Sequence, residues 1–219
     1  MSTNARFADG SAVIGVVGLG YVGLPLLLAF AEKGYRTIGF DIDPEKPRAL
    51  LAGESYLRHI PQDRISAARE NLDATTEFSR VAEVDALLLC VPTPLDEHRE
   101  PDLSFVRKTL DSVVPHLRPN TVLSLESTTY PGTTDEEVVA RVRERGLVPG
   151  ETVHVVYSPE REDPGNTQFG TTAIPKIVGG VTPACLEAGS ALYRTIFAEI
   201  VPVSSPAVAE MTKLLENIY

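Results

Sequence analysis

The stretch Val13-Ile14-Gly15-Val16-Val17-Gly18-Leu19-Gly20-Tyr21-Val22-Gly23-Leu24-Pro25 decides the fold. Residues 13–17 form a short β-branched run of the kind that makes a buried strand, and residues 22–33 have the composition of a helix. Between them, glycines at 18, 20 and 23 fit the GxGxxG spacing. In that context Gly18 makes the tight turn, Gly20 lets a pyrophosphate approach the backbone, and Gly23 lets helix and strand pack closely. The amides of residues 18–23, those of Leu19, Tyr21 and Val22 included, then open a helix whose N-terminus attracts phosphate. A purely conformational glycine turn is the competing reading, since glycines recur in turns for their backbone freedom alone.

Working outward, residues 36–40 make a second strand that ends on Asp41, eighteen positions beyond Gly23. An acid there accepts hydrogen bonds from the ribose hydroxyls of an adenosine and repels a 2′-phosphate, which favours NAD over its phosphorylated form. Lys46, on the helix that follows, is a further candidate at this end of the cofactor, and the bland alternative for Asp41 is a helix cap. Further strands are expected near residues 72–75, over 86–91, 121–125, 154–157, 176–178 and 200–203, with helices over 102–117, 134–145 and 183–197. Such alternation predicts an α/β fold: a doubly wound, mostly parallel Rossmann-like sheet with helices on both faces. We assign residues 1–203 to this domain and 204–219 to the start of a connecting helix, which runs to the last residue without a terminator.

Composition narrows the function. The net charge of -10 is dispersed and no Lys/Arg run offers a phosphate track, so nucleic acid is not an expected partner. Residues 11–31 carry no charge, but Gly15, Gly18, Gly20, Gly23 and Pro25 break the helix that a membrane span would need. Cys90 and Cys185 lack CxxC or Cys/His spacing, which speaks against a metal site or a disulfide scaffold and for a reducing cytoplasm. The four histidines are scattered, and His59, His98, His116 and His154 are read as structural or solvated.

Six segments, in order along nearly the whole chain, carry a resemblance: residues 17–25, Gly39-Phe40-Asp41-Ile42-Asp43, Cys90-Val91-Pro92-Thr93-Pro94, Glu126-Ser127-Thr128-Thr129-Tyr130-Pro131-Gly132-Thr133, Tyr157-Ser158-Pro159-Glu160-Arg161 and the run Glu210 to Asn217. Together they resemble the NAD-binding half of the UDP-glucose/GDP-mannose dehydrogenase family. Residues 158–165 look most like its UDP-N-acetylglucosamine and UDP-N-acetylmannosamine branch. The resemblance implies oxidation of a sugar C6 alcohol to the carboxylate in two hydride transfers to NAD, through a thiohemiacetal and a thioester on a cysteine. It also implies a homodimer of the full-length enzyme.

Carried over residue by residue, the resemblance places Thr93 beside the cofactor, and gives Thr128 and Glu160 a water for thioester hydrolysis. Thr129 competes with Thr128 for that role, because one extra residue precedes Pro131. Arg161 is implied to shape the N-acetyl pocket, and Pro164 stands where the UDP-glucose branch has a second acid. Lys213 and Asn217, four apart and so on one helix face, are implied to stabilise oxygen charge at C6. Read from the helix alone, that pair is equally an ordinary solvated face, and Glu160 a solvated loop charge. The family's nucleophilic cysteine has no counterpart here, so the expectation is the cofactor-binding part of a larger enzyme, the alternative being a non-catalytic dinucleotide-binding module.

Overall fold

A computed structural model describes residues 3–95, 97, 100–160 and 174–218, with side chains to residue 216. Eight strands form one sheet in the order β3-β2-β1-β4-β5-β6-β7-β8. They are β1 (Val13–Val17), β2 (Arg36–Phe40), β3 (Leu72–Thr75), β4 (Ala86–Leu89), β5 (Thr121–Leu125), β6 (Val153–Tyr157), β7 (Lys176–Gly180) and β8 (Ile200–Val203). Every pairing from β3 to β6 is parallel, β7 runs antiparallel to β6, and β8 is parallel to β7. The doubly wound, mostly parallel sheet expected from the alternating runs is therefore present, and it explains their unbroken apolar character. Strands covered on both faces need no polar alternation.

Each face has its own core. Ile14, Val16 and Leu88 point to one side, where they meet α1 (Thr3–Asp9), α2 (Gly23–Glu32), α3 (Glu45–Leu51), α4 (Gln62–Ala68) and α7 (Pro183–Tyr193). Val13, Val17, Leu87 and Leu89 point to the other, toward α5 (Ser104–Val113), a π-helical stretch Thr134–Val139 that continues as α6 (Ala140–Glu144), and α8 (Pro206–Ile218). The reading over 102–117 shortens at both ends: Asp102 caps by accepting the Ser104 N–H at 2.8 Å, and Pro115 lies in a 3-10 turn at 114–116. Two helices were not anticipated. α1 contributes only Phe7 to the core, and α4 lies in a polar stretch where Ile65 and Ala68 alone face inward.

The last helix inverts the usual arrangement. Val208, Met211 and Leu215 are exposed, while Ala209 and Glu210 are buried against the sheet and the π-helical stretch. Glu210 accepts the N–H groups of Gly132 and Thr134 at 2.6 and 2.9 Å and the Thr134 hydroxyl at 2.7 Å. One carboxylate thus satisfies amides at a helix start and ties α8 to the loop after β5. Glu210→Ala would strand buried donors and should cost about 2–3 kcal/mol in urea unfolding, with Glu210→Gln less damaging.

Candidate cofactor and active site

The sheet order reverses between β1 and β4, and open α/β folds bind ligands outside the carboxyl ends of strands at such a switch. A cleft of about 710 Å³ lies there, within the range of small-molecule sites. The three glycines of the turn meet three different constraints. Gly18 has φ of 91°, and a Cβ on it would stand 2.6 Å from the Cys90 carbonyl oxygen. A Cβ on Gly23 would overlap the Gly18 carbonyl oxygen. Gly20 lines the cleft with nothing within 4 Å of its would-be Cβ, so the space a side chain would fill is kept open above the α2 N-terminus. That cradle fits a pyrophosphate.

Asp41 is buried at the end of β2 and accepts the Leu19 N–H at 2.8 Å and the Asp43 N–H at 3.0 Å. Lys46 Nζ lies 2.8 Å from the same carboxylate. Asp41 thus braces the glycine turn from the end of β2, and both residues line the cleft. A second brace escaped sequence reading: the Tyr56 hydroxyl donates to the Leu19 carbonyl at 2.8 Å, and His59 stacks on Tyr21 with ring centroids 5.2 Å apart. Burial, with Asp41 and Asp43 nearby, pushes the Tyr56 phenol well above its ordinary value and keeps it a donor.

Farther along the cleft the segments after β4, β5 and β6 bring together Thr93, Thr128 and Glu160, and α8 adds Lys213. The Thr93 hydroxyl donates to the Thr128 carbonyl at 2.6 Å, joining the loops after β4 and β5. Thr128 lines the cleft, whereas Thr129 is 1% exposed and absent from its lining. Glu160 is buried at the rim, and Lys213, on α8, lines the same cleft. Arg161 lies outside the described residues, as does the side chain of Asn217, whose backbone is the next turn of α8 after Lys213.

Neither cysteine is an exposed thiol. Cys185 is fully buried and its Sγ accepts the Val155 N–H at 3.3 Å, and Cys90 is 9% exposed beneath the glycine turn. Glu126, which its residue type and position alone do not single out, borders the cleft and pairs with Lys176 at 2.6 Å. Among the described residues, no group of three or more His, Cys, Asp or Glu is arranged to hold a metal ion, and no helix is long and apolar enough to cross a membrane.

The two inner glycines give a clean contrast. Gly20→Ala projects into the cleft and should leave unfolding unchanged while weakening NAD binding about tenfold or more. Gly23→Ala overpacks the backbone and should lower stability by about 1–3 kcal/mol in the absence of any ligand. Equal effects of the two changes on ligand-free stability would refute the assignment of Gly20 to the phosphate cradle.

Comparison with known proteins agrees with this geometry. Residues 12–197 match the UDP-glucose/GDP-mannose dehydrogenase family, NAD binding domain. The chain is 37% identical over 207 residues to a UDP-N-acetyl-D-glucosamine 6-dehydrogenase from Pseudomonas aeruginosa, covering 93% of this chain and 48% of that protein. It is 32% identical over 219 residues to a UDP-N-acetyl-D-mannosamine dehydrogenase from Escherichia coli, covering 95% and 51%. Among solved structures, the UDP-N-acetyl-mannosamine dehydrogenase Cap5O from Staphylococcus aureus superposes with a TM-score of 0.87 at 34% identity, over 95% of this chain and 51% of that one. The chain spans about half the length of the curated relatives it matches. With a glycine cradle, an acid at the end of β2 and a family match over most of its length, the chain belongs to the UDP-glucose/GDP-mannose dehydrogenase family, whose NAD-binding domain it contains.

Proposed function

We propose that the protein containing this chain oxidises the C6 alcohol of a UDP-sugar, specifically a UDP-N-acetylhexosamine, to the uronate, with NAD as cofactor. One observation carries the reading: a single cleft has the glycine cradle and Asp41 at one end and Thr128, Glu160 and Lys213 at the other. The resemblance of residues 158–165 to the N-acetylhexosamine branch and the names of the relatives support the substrate class. In this reading residues 1–203 are the NAD-binding domain and 204–219 begin the connecting helix. Polysaccharide precursor synthesis in the cytoplasm and a homodimer of the full-length protein belong to the same proposal.

The roles given to the chain's own groups are those the family resemblance implies, and the positions of Asp41, Lys46, Thr128, Glu160 and Lys213 on one cleft support them. The open amides at the α2 N-terminus bind the pyrophosphate, and Asp41 with Lys46 holds the adenosine ribose. When bound, NAD supplies the hydride acceptor. Lys213 brings positive charge to the rim, where it stabilises negative charge developing on the C6 oxygen, and Asn217 is placed one helical turn on to assist it. Glu160, with the Thr128 hydroxyl, holds a water and takes its proton when the acyl group is hydrolysed. Arg161 is assigned to the N-acetyl group. The thiol that carries the acyl group is not one of this chain's buried cysteines.

Calorimetric titration with NAD tests the cofactor half, with one site per chain expected. Asp41→Ala should weaken binding by about 1.5–3 kcal/mol, as for a lost charged hydrogen bond. Unchanged affinity would remove Asp41 from the ribose site. With NAD and UDP-N-acetylglucosamine, UDP-N-acetylmannosamine or UDP-glucose, this chain by itself should yield no uronate. Stoichiometric uronate would overturn the placement of the thiol outside this sequence. A longer form that supplies the thiol should form NADH with an N-acetylated sugar in preference to UDP-glucose.

A further inference from the structure

Lys176, the first residue of β7, is 2% exposed, and its ammonium sits where a charge is costly. Its Nζ lies 2.6 Å from Glu126 Oε2 and 3.6 Å from Glu160 Oε2, and donates to the carbonyls of Pro159 at 3.1 Å and Ser158 at 3.4 Å. The rings of Tyr193 and Phe197 close over it, with centroids 5.3 and 5.4 Å from Nζ. Burial works against the ammonium, but the Glu126 and Glu160 carboxylates outweigh it and hold the group above the ordinary lysine value. Lys176 therefore stays charged throughout the neutral range.

Glu126 is fixed just as fully. Its Oε1 accepts from the Ser124 hydroxyl at 3.1 Å and from the Tyr193 hydroxyl, and its N–H donates to Leu89 O at 3.0 Å. Stability alone gives little reason to keep such a pair, since an apolar substitute of similar volume is often as good. Position gives a better one. Glu126 and Glu160 both border the cleft, at the ends of β5 and β6, while Asp41 marks the adenosine end at β2. A dinucleotide crossing the glycine turn from β2 carries its nicotinamide half toward β4, β5 and β6.

We propose that Lys176, with Glu126 as counter-ion, is the positioning residue for the nicotinamide end of the cofactor cleft. Its ammonium holds the Ser158-Pro159-Glu160 backbone and the Glu126 carboxylate at fixed places on the rim, without touching the cofactor itself. The Ser158 hydroxyl, donating to Ile177 O at 2.7 Å, completes the clamp from the neighbouring residue of β7. This rests on the NAD-binding reading above, and the two fail differently.

The test compares NAD with ADP-ribose, which has every part of NAD except the nicotinamide. In Lys176→Met, and in Glu126→Gln/Lys176→Met, which removes both charges of the Lys176–Glu126 pair together, calorimetry should show NAD weakened about tenfold while ADP-ribose stays within about twofold. Lys176→Arg should restore most of the NAD affinity. In the unsubstituted chain, NAD but not ADP-ribose should shift the backbone amide resonances of Ser158, Glu160 and Ile177, a readout that needs no variant to fold. Equal weakening of both ligands, or the same amide shifts with both, would reduce Lys176 to a structural residue and overturn the proposal. If the unsubstituted chain bound neither ligand, the cofactor reading itself would fall.

Discussion

Three backbone segments meet at Gly18 more closely than any side chain allows. Its would-be Cβ falls 2.6 Å from the Cys90 carbonyl oxygen, and the Gly18 carbonyl occupies the space a Cβ on Gly23 would need. This bare contact lets β1 and β4 lie side by side at the switch while α2 starts directly above them. A larger residue at either place would push the helix off the sheet edge, and with it the amides that face the cleft. Asp41 and Tyr56 then fasten the turn from two sides through the N–H and the carbonyl of Leu19. The cofactor end of the cleft is thus preorganised by backbone packing, and its side chains act as braces.

The far end is built on another principle. There the positions of Thr128, Glu160 and Lys213 depend on polar groups taken out of water: Glu210 ties the loop after β5 to α8, and Lys176 ties it to the loop after β6. Buried ionic groups give little net stability but tolerate few geometries, because a misplaced charge in a dry setting is strongly penalised. The exposed apolar stripe of α8 is a corollary. Its inward face carries Ala209 and Glu210, with Lys213 turned to the cleft, and Val208, Met211 and Leu215 are left outside.

Much of this was legible in the sequence, for identifiable reasons. The strands at 13–17, 36–40 and 121–125 match their observed bounds, because runs buried on both faces carry a strong apolar signal. The turn between β1 and α2 and the place of Asp41 at the end of β2 were legible because the glycines follow one strand, open a helix and precede a second strand that ends on the acid. The helices α1 and α4 were not, since each buries one or two side chains and shows no stripe. Tyr56 and His59 lie in a loop whose course is set by tertiary packing. Lys176 escaped notice because a lysine at a strand start is ordinarily solvated, and only the fold shows the two carboxylates that retain it in the interior.

The reversed direction of β7 has a consequence for where such folds can place useful groups. In a parallel strand the residue at the ligand-bearing edge is the last one, and the chain leaves that edge immediately after it. β7 pairs antiparallel to β6, with Tyr157 opposite Gly179, so the residue it delivers to that edge is its first, Lys176. A reversed strand thus offers an entry point instead of an exit, and its opening residue is held between neighbours before any loop begins. Inspection confined to the exits of strands would pass over the whole class of residues delivered this way.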